Sequence, residues 1–328
     1  MKYEADIRDG THYLFLERLF FDRKVVIDHC RLFNRGLVDC YVNKTITQKF
    51  GPEYDDHFKV LHLSTEPTVS YGRENADTVI QYAEHYDLIV TWDLSILDAI
   101  PHSTNLHYGS TWLNKCPDRH DDSLGVVDES YYQDLFDKSE YKASYLLSGS
   151  PSLVNVVRGY GLRVEVTRAI LSNQQLGKRV SLYCGRGWKG EGCSRLIEGN
   201  KNRLFNYSHH ITIENSRERG YFTEKIIDPM LTKTVPIYWG DPNIKDYFNE
   251  DGIIIIDSDS PEDFEKTILS LGDLKSDYNN RRDAIEDNYK KAVYYANYYE
   301  RFLTTLEDHI GPICDRIDRN TEKETTNA

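Results

Sequence analysis

Between Glu214 and Ile244 the chain reads ENSRERGYFTEKIIDPMLTKTVPIYWGDPNI, a stretch that concentrates residue types able to hold an anionic ligand. A polar turn, Asn215 to Gly220, leads into Tyr221-Phe-Thr-Glu224-Lys225. A helical run follows from Glu224 to about Thr232, and an apolar strand then stops at Gly240-Asp241-Pro242. The start of such a helix offers unpaired backbone N–H groups and a partial positive charge, which suits phosphate. Lys225 adds a full positive charge at the same place. An ordinary amphipathic helix with Glu and Lys in its first turn reads the same way, because loop–helix–strand units are common in α/β proteins.

Other spacings offer less. Gly185-Arg186-Gly187-Trp188-Lys189-Gly190 follows a predicted strand and formally matches the fingerprint G-x-G-x-x-G. Gly192 and Gly199 interrupt the helix that should follow, and no acidic strand end comes about twenty residues later, so a nicotinamide or flavin site is disfavoured. The six cysteines, Cys30, Cys40, Cys116, Cys184, Cys193 and Cys314, form no C-x-x-C pair and have no histidine at ligand spacing. This argues against zinc and for reduced thiols. His209-His210 precedes a strand and reads as structural or surface, and no Ser-His-Asp or Cys-His arrangement stands out.

The elements that must position these residues alternate. Strands are predicted at Lys24–Ile27, Phe58–Leu63, Leu88–Thr91, Ala143–Leu147, Val180–Cys184, Ile211–Ile213, Val235–Tyr238 and Gly252–Ile256. Helices are predicted at Asn75–Tyr86, Gly161–Asn173, Glu224–Thr232 and Pro261–Leu271. Strand–helix alternation implies parallel sheets covered by helices on both faces. The polar interval Asp118–Tyr141 is the best boundary, giving domains 1–140 and 141–275 and a helical tail 276–328. The tail has a Tyr-rich face (Tyr289, Tyr295, Tyr298, Tyr299, Phe302, Leu306) that can pack back on the chain or pair two copies as a homodimer.

Composition bounds the function classes. With 39% hydrophobic and 28% charged residues in 328, the chain has the balance of a globular protein of ordinary two-domain size. A net charge of −13 excludes a chain-wide nucleic-acid or anionic-membrane surface, so an anionic ligand needs a local cluster of Lys and Arg. The 24 Tyr and 4 Trp suit sugars, and equally suit an ordinary core. MKYEADIRDG has no apolar signal core and no apolar run reaches spanning length, so a soluble cytoplasmic protein without a transmembrane segment is expected.

The segment Ile211 to Phe248 resembles the C-terminal signature of the α-1,3/4-fucosyltransferases, glycosyltransferase family 10. Glu214-Asn215, Gly220-Tyr221-Phe-Thr-Glu224-Lys225 and Thr234-Val-Pro236-Ile-Tyr-Trp239-Gly240 carry the resemblance, which is closest to the bacterial members. Ser148-Gly-Ser150-Pro followed by Gly161-Leu-Arg163, and Ser64-Thr-Glu66-Pro67 at a strand end, are similar to two upstream family segments. The resemblance implies a GT-B fold, two facing Rossmann-like domains with parallel sheets and a C-terminal helical tail. It implies an inverting transfer of fucose, or a related sugar, from GDP-fucose to a glycan hydroxyl, with no cofactor and no metal. Such a transfer passes through an oxocarbenium-like centre, needs one carboxylate to take the acceptor proton and needs cations for the departing diphosphate.

By position, the resemblance makes Glu66 the general base, with Arg163 and Lys225 on the diphosphate. Tyr221 and Glu224 hold nucleotide and sugar, Asn215 braces the loop or meets the donor sugar, and Arg186 is a reserve cation. Here Ser148-Gly149 departs from the family's Ser-Asn, and the acceptor side is silent. Two alternatives stay open. Asp257-Ser-Asp259 after four isoleucines could hold a metal and a sugar diphosphate, although Asp259 or Ser260 capping the helix that opens with Pro261-Glu262 is preferred. A non-catalytic sugar- or nucleotide-binding module is the other.

Overall fold

The structure, a computed structural model, describes residues 6–8, 25–32, 50–52, 55, 57–65, 73–111, 113, 129–148, 154–185, 188, 192–195, 201–298 and 300–310. The chain divides into two units, Met1–His107 with Tyr298–Ala328, and Tyr108–Asn297.

The first unit is built on a parallel sheet whose strands lie in sequence order: β1 (Asp6–Arg8), β2 (Val25–Leu32), β3 (Phe58–Thr65), β4 (Leu88–Thr91) and β5 (Ser103–Asn105). Side chains alternate between its faces. Leu61, Leu63 and Ile89 meet Ala76, Val79 and Ile96 of α1 (Arg73–Gln81) and α2 (Leu94–Ala99). Val60, Leu88 and Val90 meet Phe302, Leu303, Leu306 and Ile310 of a helix over 300–310. Both faces are thus covered, which is why β4 is buried along its whole length. The helix expected over Asn75–Tyr86 is α1 followed by a 3-10 turn, Ala83–His85.

The second unit has a parallel sheet in the order β11-β10-β9-β6-β7-β8. These strands are β6 (Glu140–Leu147), β7 (Val180–Cys184), β8 (Ser194–Arg195), β9 (Tyr207–Ile213), β10 (Val235–Trp239) and β11 (Ile254–Ile255). Its helices are α3 (Arg158–Ser172), α4 (Gln174–Arg179), α5 (Glu224–Leu231), α6 (Pro261–Ser270), α7 (Leu274–Asn280) and α8 (Arg282–Ala296). Leu162, Val166, Leu176, Phe264 and Ile268 cover one face of the sheet. Ile226, Met230, Ala292 and Ala296 cover the other. The unit's first strand, β6, is central and the strand succession reverses between β6 and β9. This is the doubly wound order, whose ligands bind beyond the carboxyl ends of the strands at the reversal.

The expected α/β class with parallel sheets is what each unit has. Boundaries near residues 140 and 275 were expected, whereas the units meet at His107–Tyr108 and at Asn297–Tyr298. Tyr132, between the 3-10 turns Glu129–Tyr131 and Gln133–Leu135, and Leu135 of the second turn are buried in the core shared by α5 and α8. Helices α7 and α8 stay with the second unit through Tyr278, Ile285 and Ala292. The Tyr-rich face packs back on the chain. Tyr289 donates to Glu129 at 2.8 Å, Tyr295 meets Phe222 edge-on at 5.0 Å, and Phe302 stacks on His62 at 4.2 Å.

Strand β9 begins at Tyr207 rather than Ile211 because its polar residues find buried partners. His209 pairs with Ser208 Oγ at 2.8 Å and with Asp277 at 3.0 Å, and His210 pairs with Ser144 Oγ at 2.7 Å. The isoleucine run yields only the short β11, since Gly252 belongs to a 3-10 turn, Glu250–Gly252. The expectation of reduced thiols is overturned at one pair: Cys184 and Cys193 are disulfide-bonded, with Cα atoms 5.9 Å apart. Parallel pairing of Cys184 with Arg195 brings Cys193 alongside. No helix among the described residues is long and apolar enough to cross a membrane.

Candidate functional site

Three segments converge at the β6/β9 reversal. The first is the end of β9 and the turn beyond it. Every residue of β9 is buried, and so are Glu214, Asn215 and Ser216 that follow. Glu214, with no exposed surface, accepts from the Thr223 backbone N–H at 2.9 Å and from the Thr223 hydroxyl at 2.8 Å. Thr223 is the N-cap of α5, its oxygen accepting from the Lys225 N–H at 3.2 Å and from Lys225 Nζ at 3.1 Å. The hydroxyl therefore gives its one proton to Glu214 and takes two from Lys225, fixing the helix start against the strand end.

Pro229 inside α5 cannot donate to the carbonyl of Lys225, and Thr212 Oγ1 supplies a bond to that carbonyl at 3.5 Å. Helix α5 ends with Lys233 at φ 56°, with Lys233 N–H on Met230 O at 3.0 Å and Thr234 N–H on Pro229 O at 2.8 Å. This is a Schellman ending without glycine. Lys233 tolerates it with its ammonium 2.7 Å from Glu286 and 4.4 Å from the Phe136 ring centre.

The second segment is the start of α3. The Gly159 N–H donates to Asn215 O at 3.0 Å, and a Cβ at Gly159 would lie 1.9 Å from Glu214 O. Only glycine lets this helix approach the β9 turn so closely. Arg163, buried, donates from Nε and Nη2 to Ile213 O at 3.1 and 2.6 Å, and from Nη2 to Asn215 Oδ1 at 2.8 Å. Its Nη1 lies 3.4 Å from Ser148 O, at the end of β6. The guanidinium thus joins the two central strand ends and the turn between β9 and α5.

The third segment is the turn before β9. Lys201 Nζ lies 3.7 Å from Glu224 Oε1 and 3.4 Å from Asp228 Oδ2. Thr111 donates to Asp228 Oδ1 at 2.8 Å. Lys225 lies 3.4 Å from Glu224 and 3.6 Å from Glu214. Glu214, Lys225, Glu224, Lys201 and Asp228 therefore form one continuous run of alternating charges.

Arg163, Lys201, Lys225, Glu224, Asp228 and His210 line a recess of about 50 Å³. Three cations, Arg163, Lys201 and Lys225, are gathered there in an otherwise acidic chain. Burial pushes the Glu224 carboxyl up, but Lys225, Lys201 and the Thr223 hydroxyl together outweigh it and hold it down at about 2. For Glu214 burial prevails over Lys225, and its affinity for a proton is raised. Burial, reinforced by Lys201, lowers His210 to about 3, so its ring is neutral. In the turn after β10, Asp241 accepts from the N–H groups of Gly220 at 3.0 Å and Asn243 at 2.8 Å, and burial raises it to about 6. A Cβ at Gly240 would lie 2.6 Å from Glu214 Cγ, so this turn also requires glycine.

The structure brings Arg163, Asn215, Glu224 and Lys225 together. Tyr221 is fully buried and is not among the residues lining the recess. Glu66 and Arg186 lie outside the described residues. Asp257 pairs with Arg217 at 3.1 Å, Asp259 accepts from Trp239 Nε1 at 3.0 Å, and Ser260 caps α6. The two aspartates therefore point to separate partners, and the cap expected near Asp259 is Ser260. Lys201, Asp228 and His210 were not singled out for the site. Asp228 stands one turn after Glu224, a visible spacing, but nothing local marks Lys201.

The family model Glycosyltransferase family 10 (fucosyltransferase) C-term matches residues 172–327. Residues 172–327 are thus similar to the C-terminal domain of glycosyltransferase family 10. Within the matched region lie β9, α5, β10 and all of the alternating charges described above. The α-(1,3)-fucosyltransferase FucT of Helicobacter pylori is 47% identical over 51 residues, 15% of this chain and 11% of that protein. α-(1,3)-Fucosyltransferase B of Drosophila melanogaster is 33% identical over 117 residues, 33% of this chain and 24% of that protein. The matched stretches thus span a quarter or less of these relatives. A crystal structure of an α1,3-fucosyltransferase with GDP-fucose superposes over 91% of this chain and 94% of its own, at TM-score 0.45 and 16% identity.

Proposed function

We propose that the protein is an inverting glycosyltransferase that moves fucose, or a closely related sugar, from GDP-fucose to a glycan hydroxyl without a metal. The observation that carries this is the cation cluster at the start of α5, inside the region similar to family 10 and at the β6/β9 reversal where doubly wound sheets bind ligands. Lys225 and Arg163 face the departing diphosphate, and the capped start of α5 adds its dipole. Their positions are fixed in advance by Glu214, Thr223 and Asn215, so little reorganisation accompanies the build-up of leaving-group charge.

Glu224 stays ionised across the physiological range and accepts from hydroxyls of ribose or sugar. Asn215 contributes as the brace that orients Arg163, and Tyr221 as a buried support of the loop before α5. Arg186 is a reserve cation from the Gly185–Gly190 loop. Glu66 takes the acceptor proton as general base, in a single displacement that inverts the anomeric centre. The domains of the notional enzyme are a donor half built on the second unit and an acceptor half built on the first.

Release or transfer of fucose from GDP-fucose, with and without EDTA, tests this. Activity is expected to persist in chelator and to fall by about 10²–10⁴-fold in Glu66→Gln. Loss of activity in EDTA, reproduced by Asp259→Ala, would transfer the role to the Asp257–Asp259 pair. GDP binding without turnover over a broad acceptor panel would leave a binding module.

A further inference from the structure

Glu224 and Asp228 stand one helical turn apart on α5, and like charges at that spacing repel. Lys201 enters between them from a different element, the residue before the 3-10 turn Asn202–Asn206 that leads into β9. Its ammonium is 3.7 Å from one carboxylate and 3.4 Å from the other, and only 18% of its side chain is exposed. Thr111 holds the far oxygen of Asp228 at 2.8 Å, which anchors the outer end of the arrangement.

The groups around Glu224 leave Lys201 little competition. Ser144 donates its hydroxyl proton to Leu204 O at 2.5 Å, so its contact with His210 Nδ1 at 2.7 Å requires Nδ1 to carry the proton. Burial keeps the His210 ring neutral, so it lines the recess with Lys201 without competing for either carboxylate. On the other side Lys225 is drawn toward both Glu214 and Glu224, at 3.6 and 3.4 Å. Lys201 and Lys225 thus meet the same oxygen of Glu224, at 3.7 and 3.4 Å, and hold that carboxylate from two different elements.

We propose that Lys201 is a positioning residue of the donor site, fixing the Glu224 carboxylate in the orientation that accepts hydroxyls of the donor's transferred sugar. This rests on the reading of the recess as a GDP-sugar site. Lys201 acts through Glu224 and Asp228 and need not touch the donor.

The test is KM and kcat for GDP-fucose, with calorimetric Kd for GDP, in wild type, Lys201→Met and Lys201→Arg, each checked for an unchanged unfolding midpoint. Lys201→Met is expected to raise KM for GDP-fucose about tenfold, the weight of one charge-assisted hydrogen bond, while Kd for GDP moves no more than about twofold. Lys201→Arg is expected to restore most of the loss. Should Lys201→Met not fold, Asp228→Asn, which loosens Lys201 without removing it, is expected to give the same split in smaller measure. Combining Lys201→Met with Glu224→Gln is expected to cost no more than Glu224→Gln alone. Unchanged KM, or equal losses for GDP and GDP-fucose, overturns the assignment. Wild-type protein that binds neither ligand overturns the donor-site reading itself and this inference with it.

Discussion

The hydroxyl of Thr223 donates to Glu214 Oε2 at 2.8 Å, joining the N-cap of α5 to the residue just after β9. The same oxygen accepts from both nitrogens of Lys225, so one side chain sets the helix start, the buried carboxylate and the lysine together. Thr223→Val keeps the shape and removes the hydroxyl. It leaves the Lys225 N–H uncapped and Glu214 short of a donor, which should cost about 1–3 kcal/mol. Urea denaturation of the two proteins measures this, and an unchanged midpoint would remove Thr223 from the account.

Gly159 meets Glu214 O more closely than any side chain allows, a Cβ there lying 1.9 Å away. Gly159→Ala should therefore push the start of α3 off the β9 turn and loosen Arg163 from Ile213 O. A destabilisation of about 1–3 kcal/mol or more is expected, with weaker GDP binding at temperatures where the variant remains folded. Gly177→Ala, where a Cβ meets only Ile170 O at 3.2 Å, serves as the mild control.

Glu224 and Asp241 should act on stability in opposite directions. Glu224 is held at about 2 in the folded protein against an ordinary value of 4.5, so its contribution is present above about 4.5 and lost as pH falls toward 2. Asp241 is raised to about 6 from 3.8, so the folded state holds the proton more tightly and stability falls as pH rises from about 4 to 6. Unfolding midpoints across pH 3–7 should show both limbs. Glu224→Gln should flatten the acid one and Asp241→Asn the other.

How much of this was legible in the sequence depends on whether a residue's partner is local. Thr223, Glu224 and Lys225 are legible because a cap and a first-turn pair are set by neighbours in the chain. The α/β class is legible because β4 and β10 read as buried runs between helical periods. Lys201 is not, since its partners Glu224 and Asp228 come near only when β9 and α5 pack. Arg163 illustrates a half-legible residue: its place beside the site follows from the resemblance, but its hold on Ile213 O and Asn215 depends on the approach that Gly159 permits. The tail is half-legible for a similar reason. Its aromatic face is continuous in sequence, yet Tyr289 and Tyr295 complete one core and Phe302 and Leu306 another.

The central claim is that the cations at the start of α5 hold a guanosine diphosphate-linked sugar. Isothermal titration of GDP-fucose, GDP and UDP-sugars into wild-type protein and Lys225→Ala tests it most directly. Binding of GDP-fucose and GDP, weakened about tenfold or more in Lys225→Ala, with no binding of UDP-sugars, is the predicted result. Binding of UDP-sugars in preference to GDP, or GDP affinity untouched by Lys225→Ala, would contradict it.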